Sequence, residues 1–243
     1  MKLDNYIDTL KDKWNEIPGG DINRIKSVEV LKMSDSQIYN FWKTAKQQAT
    51  TGEYFKVRGW YHELYANSFI GKNLMDLGSG FGIDGIVFAQ NGVNVTFVDI
   101  VESNLKVIKR ICSYLKITNV DFVYIKNLES FSTIGKQYDV IWAQGSMLHT
   151  PFDVIKEEVV EVLKYLKLNG RWIELAYPEE RWIKEGKMSF ETWGEKTDGG
   201  APWVEWYNLN KLLDRLEPAK FDLVLNFNFH NDDFNWFDLK RIA

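Results

Sequence analysis

Glycines and carboxylates at fixed spacing carry the first chemistry that can be read in this chain. Between residues 73 and 100 it runs Asn-Leu-Met-Asp-Leu-Gly-Ser-Gly-Phe-Gly-Ile-Asp-Gly-Ile-Val-Phe-Ala-Gln-Asn-Gly-Val-Asn-Val-Thr-Phe-Val-Asp-Ile. Leu74, Met75 and Leu77 form a short apolar strand. Gly78, Gly80 and Gly82 follow at once, where side chains would keep a ligand away from the backbone. Ile86, Val87 and Ala89 continue as a helix that stops near Asn91-Gly92, and the β-branched run Val93 to Val98 ends on Asp99. The unit is strand, glycine bend, helix, strand: a surface of bare main chain with a carboxylate set beside it.

Two cofactor classes can use such a unit. Gly80, Gly82 and Gly85 satisfy the dinucleotide pattern G-x-G-x-x-G, and a carboxylate ending the second strand can hold ribose hydroxyls in either case. Asp76 discriminates between them. It lies two residues before Gly78, where an ionised carboxylate would repel a pyrophosphate at the helix N-terminus, whereas a cofactor with an ammonium group would tolerate it.

The run Asp76-Leu77-Gly78-Ser79-Gly80-Phe81-Gly82, with Asp99 following, resembles the first two motifs of class I S-adenosylmethionine (SAM) dependent methyltransferases. The resemblance implies that Gly78, Gly80 and Gly82, with Ser79 and Asp76 beside them, lie against the methionine and ribose of SAM. It implies that Asp99 takes both ribose hydroxyls, with Ile100 next to it. A nucleotide-independent α/β turn is the plain alternative, since glycines are common wherever a strand meets a helix closely.

The elements that must position these residues are legible to different degrees. At 243 residues the chain has room for one large α/β domain with decorations, and 45% hydrophobic content is ordinary for a globular protein. Aromatics reach 15%, including ten Trp, more flat apolar surface than a core of this size requires. A net charge of -4 argues against the basic face that nucleic acid needs. Cys112, the single cysteine, permits no internal disulfide and reads as a core residue of a reducing compartment. The N-terminus Met-Lys-Leu-Asp-Asn-Tyr carries charge throughout and reads as neither leader nor membrane span, so a cytoplasmic location and no membrane partner are expected.

Residues 1–72 read as an N-terminal helical cap. A break at Pro18-Gly19-Gly20 separates a short first helix from the next segment. Ser34-x-x-Gln37 has the form of a capping box opening a helix through about Gln48, and another helix is expected over roughly 53–67. Tyr54, Arg58, Trp60, Tyr61 and His62 stand out within it. In related methyltransferases such a cap closes over the cofactor, which would let Arg58 meet the SAM carboxylate; a surface arginine with its stem on an aromatic is the alternative.

Residues 73–243 read as the SAM-binding core, for which the resemblance implies a Rossmann-like, seven-stranded, mostly parallel sheet with helices on both faces and an antiparallel last strand. Leu105, Ile108, Ile111, Cys112 and Leu115 have helical spacing, and Val120 to Ile125 alternates as a third strand. In the family the next loop flanks adenine, often with an acidic residue; here Asn127 and the backbone of Leu128 hold that place. Tyr138 to Thr150 resembles the fourth strand and its loop, so Gln144 and His149 should emerge at the carboxyl end of the sheet, where open α/β sheets place their chemistry. Pro151 starts a helix, Asn169-Gly170 turns the chain, and Arg171 to Ala176 is a fifth strand. From Tyr177 to Tyr207 periodicity is lost for about thirty residues, longer than usual for a connection. This Trp-rich insertion reads as the wall or lid of an acceptor pocket, with a packing or oligomer surface as the alternative. Two closing strands follow at 221–227 and 235–241.

Methyl transfer from a sulfonium requires alignment and exclusion of water more than covalent help. If the acceptor is a hydroxyl, His149 is the candidate base because its unperturbed pKa lies near neutrality; fixing a loop is its other possible role. Glu174, Tyr177, Trp203, Glu205 and Tyr207 are candidates for acceptor binding. His230-Asn231-Asp232-Asp233 is a polar cluster better read as a hairpin turn. His62, His149 and His230 lack metal-ligand spacing, so no metal is expected. The reading is therefore a SAM-dependent methyltransferase acting as monomer or homodimer on an oxygen or nitrogen of a small polar metabolite. The resemblance extends to enzymes that modify sugars, nucleotide-linked sugars or phosphoramidates in surface-polysaccharide and secondary-metabolite pathways. A nicotinamide-dependent oxidoreductase on the same βαβ site is the competing class, and a protein that retains SAM without turnover is a third.

Overall fold

The structure, a computed structural model, describes residues 3–19, 22–197 and 199–243. Its contacts divide the chain into two compact units, residues 14–125 and residues 1–13 with 126–243.

The first helix, α1 (Leu3–Trp14), is followed by a two-stranded hairpin of β1 (Glu16–Gly19) and β2 (Ile22–Lys26) at the break expected around Pro18; Gly20 lies outside the described residues. Next come α2 (Ser27–Val30) and α3 (Asp35–Thr50). The helix α3 begins as its sequence dictates: the Ser34 hydroxyl accepts the Gln37 backbone N–H, and the Gln37 side chain accepts the Ser34 N–H at 2.9 Å. A 3₁₀ turn (Gly52–Lys56) and a short α4 (Gly59–Tyr65) replace the single helix expected over 53–67. The side chain of Tyr54 lies outside the described residues.

The βαβ unit is β3 (Asn73–Leu77), α5 (Ile83–Gln90) and β4 (Asn94–Asp99), continued by α6 (Glu102–Tyr114) and β5 (Val120–Tyr124). All three strands run parallel, with Asp76 opposite Phe97 and Leu77 opposite Val98. The helix α5 is buried along seven of its eight residues, Ile83 to Ala89, which is why it reads as apolar all round rather than amphipathic. By contrast α6 buries Leu105, Val107, Ile108, Ile111 and Cys112 on one face.

The second unit holds a 3₁₀ turn (Leu128–Thr133), β6 (Tyr138–Gln144), α7 (Phe152–Leu163) and β7 (Leu166–Ala176). Asn169-Gly170 does not end an element, because β7 begins earlier than expected and runs through both residues, Asn169 with a φ of 64°. The Trp-rich stretch is not structureless: it folds into α8 (Glu179–Lys184) and α9 (Phe190–Thr197). Then come α10 (Leu209–Arg215), capped by the Asn208 side chain on the Lys211 N–H at 3.0 Å, and the hairpin of β8 (Phe221–Phe229) and β9 (Phe234–Arg241). At its tip His230, Asn231 and Asp232 all take positive φ, the conformation of a turn.

Seven strands form one sheet in the order β5-β4-β3-β6-β7-β9-β8, with β9 antiparallel to both β7 and β8. This is the Rossmann-like, mostly parallel architecture expected, with the last strand reversed. Of the ten tryptophans, Trp42, Trp142, Trp172, Trp193 and Trp236 are fully buried, so half of the indole excess is core. No helix among the described residues is long and apolar enough to cross a membrane.

Replacing Ser34 by Ala removes one half of the α3 cap and should lower stability by about 1 kcal/mol. Urea unfolding of both proteins measures this, and an unchanged midpoint would show that the capping box does not contribute.

Candidate active site

The glycine bend is built by its φ angles. Gly78, Gly80 and Gly82 have φ of 76°, 53° and 67°, left-handed values that an L side chain rarely adopts. Gly82 is also sterically closed, since a Cβ there would lie 2.9 Å from Ile108 of α6. The Ser79 hydroxyl pins the bend to both strands, donating to the carbonyl of Asp76 at 2.8 Å and receiving the Val98 N–H at 3.0 Å.

Asp99 faces this bend. Its carboxylate receives the Gly80 N–H at 2.9 Å on one oxygen and the Val101 N–H at 2.8 Å on the other. Burial raises its pKa from 3.8 to about 6, while the N–H groups of Val101, Gly80 and Ile100 and the Asn104 side chain pull the other way. Because the native carboxyl binds its proton more tightly than the unfolded one, this residue lowers folded stability as pH rises from 3.8 to about 6.

Asp76 is buried as well. Burial first, then repulsion from Asp84 and Asp99, hold its carboxyl well above the ordinary range, and Arg58 and the Gly85 N–H oppose them. Charge is therefore a weaker bar to a pyrophosphate here than the sequence suggests. The stronger bar is occupancy, because the Gly85 N–H in the first turn of α5 already serves Asp76. Gly85 is obligatory for that approach: a Cβ would come within 2.3 Å of the Phe97 ring and 2.6 Å of Asp76 Oδ2.

Arg58 joins the same neighbourhood through Asp84. Asp84 is almost fully buried and receives His62 Nε2 at 2.7 Å, the Tyr61 hydroxyl at 3.4 Å and the Arg58 guanidinium at 3.7 Å. Arg58 keeps 37% of its side chain exposed. Asp84 was missed from sequence; the available signal was a lone carboxylate among the apolar residues 83–89.

In the second unit, Asn127 commits its side-chain oxygen to capping the following 3₁₀ turn, taking the Ser130 N–H at 3.2 Å, and the Leu128 side chain packs on Ile7 and Val154. Gln144, the last residue of β6, has both amide atoms buried without a hydrogen-bond partner. His149 is buried and its Nδ1 lies 3.1 Å from the carbonyl of Trp203. A carbonyl only accepts, so Nδ1 carries the proton and Nε2 the lone pair in the neutral ring.

The residues expected to touch an acceptor gather around His149, but most face inward. Glu174 and Tyr207 are fully buried, Glu205 is 4% and Tyr177 9% exposed, and only Trp203 is half-buried. Glu205 takes the N–H groups of Phe152 and the Trp203 indole, both at 3.0 Å, and the Lys211 ammonium at 2.6 Å. Tyr177 lies under the Arg181 guanidinium at 4.1 Å. Glu174 is paired with Arg215 and with the Trp172 indole N–H. These contacts tie the Trp-rich segment to the loop after β6. The indoles serve the same end: Trp182 lies 6.1 Å from Trp206 and 5.8 Å from Phe190, and Lys211 sits 4.1 Å over the Trp206 ring. Lys211 and Arg215 went unread in the sequence because a cation in a short amphipathic helix looks like any surface residue. Among the described residues no three His, Cys, Asp or Glu side chains come together as a metal-binding group.

Substituting Gly85 by Ala should cost about 1–3 kcal/mol by overpacking α5 against Phe97 and Asp76. Chemical denaturation tests this; a variant as stable as the parent would show that α5 can move away.

Known proteins give this geometry a context. Residues 74–170 match the family model described as a methyltransferase domain. The chain is 32% identical over 115 residues to a ubiquinone biosynthesis O-methyltransferase of Bordetella parapertussis, an alignment covering 47% of this chain and 46% of the relative. It thus spans about half the length of the curated relatives it matches. Among solved structures it is similar to the 1,6-didemethyltoxoflavin-N1-methyltransferase of Burkholderia thailandensis, crystallised with 1,6-didemethyltoxoflavin and S-adenosylhomocysteine, at 16% identity, a TM-score of 0.57 and 89% of each chain. It is also similar to the N-methyltransferase NodS of Bradyrhizobium japonicum with S-adenosylhomocysteine, at 11% identity, a TM-score of 0.56, and 85% of this chain against 99% of that one. The fold is that of class I methyltransferases.

Proposed function

We propose that this chain, whose residues 74–170 match a methyltransferase domain, moves a methyl group from SAM to an oxygen of a small polar metabolite. The observation that carries the reading is the left-handed bend Gly78–Gly82 with the Asp99 carboxylate fixed against it. The residues present fit SAM: bare main chain at the bend and a buried carboxylate, Asp99, fixed beside it for the ribose hydroxyls. Asp76 and Arg58 are assigned the ammonium and carboxylate of the methionine portion, Ser79 and Ile100 the walls of the bend, and Asn127 and Leu128 the adenine. Bound SAM supplies an electrophilic methyl group on a sulfonium.

The chain's own part is orientation and proton removal. His149, held through Nδ1–H on the Trp203 carbonyl, presents Nε2 to take the proton of an acceptor hydroxyl. Trp203 and Tyr177 wall the acceptor, while Glu174, Glu205 and Tyr207 form the framework behind them. Residues 1–72 act as the cap and the Trp-rich segment as the lid. Sugars, nucleotide-linked sugars and phosphoramidates of surface-glycan pathways are the acceptors to screen first, beside quinone-type phenols suggested by the ubiquinone O-methyltransferase match. The protein acts in the cytoplasm as monomer or homodimer.

Calorimetric titration with S-adenosylhomocysteine and, separately, with NADH tests the cofactor. Saturable binding of the first alone is expected, and binding of the dinucleotide alone would overturn the reading. Because Asp99 must be ionised to accept two hydroxyls, affinity for S-adenosylhomocysteine should fall ~10-fold between pH 7 and pH 5, following its pKa of about 6. A flat profile would remove Asp99 from the contact. His149→Ala should leave that affinity within ~2-fold and cut turnover ~100-fold or more; undiminished turnover would exclude His149 as the base.

A further inference from the structure

The loop after β6 is held by a buried ion pair that stability does not explain. Arg215, the last residue of α10, and Glu174 of β7 are both 0% exposed and paired. Taking two charges out of water consumes most of what their attraction returns, so apolar side chains of the same volume commonly do as well. This pair is also incompletely satisfied, since Arg215 Nε and Glu174 Oε1 are buried without a partner. Another carboxyl, Glu158, adds to the field around Arg215.

The remaining bonds show what the pair does. One Arg215 nitrogen serves Glu174 and the other, Nη1, donates to the carbonyl of Met147 at 3.3 Å. The guanidinium plane is fixed by the Tyr207 ring 4.5 Å below it, and Glu174 is fixed in turn by the Trp172 indole N–H at 2.8 Å. Met147 is two residues before His149. Three consecutive residues are each tethered from outside the loop: Met147 by Arg215, Leu148 by the Glu205 N–H on its carbonyl at 2.9 Å, and His149 by the Trp203 carbonyl. Only the first of these tethers has a charged donor, and its direction is fixed by a planar fork.

We propose that Arg215 and Glu174 are positioning residues for His149: the guanidinium, oriented by Glu174 and Tyr207, sets the Met147 peptide and thereby keeps the His149 Nδ1–H on the Trp203 carbonyl. This rests on His149 as the base, but its test does not need the acceptor. In the 243-residue chain labelled with ¹⁵N-histidine there are three imidazoles, and His149→Ala identifies the signal of interest. The parent should show His149 as the Nδ1-protonated tautomer. The charge-free double variant Glu174→Gln/Arg215→Met should give a mixture of tautomers, with amide-exchange protection of Leu148 and His149 down ~10-fold. Arg215→Lys preserves the buried charge, and so supplies a reading if the double variant does not fold. One ammonium cannot serve Glu174 and Met147 in the forked geometry, so it should show the same change in part. A folded variant with the parent's tautomer and loop protection would overturn the proposal. A changed tautomer together with full turnover in His149→Ala would instead refute the base and leave the positioning intact.

Discussion

The hydrogen bond from the Gly80 N–H to the Asp99 carboxylate is the constraint on which the rest of the site depends. It joins the bend after β3 to the end of β4, and it exists only because three residues in five can adopt left-handed φ. Parallel pairing of Leu77 with Val98 sets the two strand ends level, so bend and carboxylate meet without any intervening side chain. Ser79 adds the crosslinks that prevent the bend from relaxing toward an ordinary turn.

This arrangement concentrates acidic groups where water is scarce. Asp76, Asp84 and Asp99 are each at most 5% exposed, and the first and last have pKa values displaced upward by burial. Folding alone would not favour such a cluster. It becomes intelligible if a cationic ligand with hydroxyl groups completes it, with His62, Tyr61 and Arg58 compensating Asp84 meanwhile. The second unit repeats the theme with opposite means, since Arg215, Glu174, Glu205 and Lys211 are tied into backbone carbonyls, N–H groups and ring faces around the loop that carries His149.

What the sequence made legible follows from the range of the interactions involved. The βαβ unit, the capping box at Ser34 and the helix after Pro151 are specified by neighbours within a few residues, and periodicity or capping chemistry exposes them. The strand through Asn169-Gly170 and the two helices within the Trp-rich segment were hidden because tertiary packing overrides local turn signals. Position in the chain brought Glu174, Glu205 and Tyr207 forward as contact residues, but it carries no information on depth: all three are buried, and Glu174 and Glu205 are bonded within the protein. Asp84 and Arg215 depend on partners 22 and 41 residues away in the chain, His62 and Glu174, so nothing local marked them.

A crystal structure of the protein with S-adenosylhomocysteine measures directly where the ligand's ribose lies. Both ribose hydroxyls should lie on the Asp99 carboxylate and the homocysteine portion along the main chain of Gly78 to Gly82. A ligand bound elsewhere with the bend bare, or a diphosphate seated on the first turn of α5 in crystals grown with NADH, would contradict this placement.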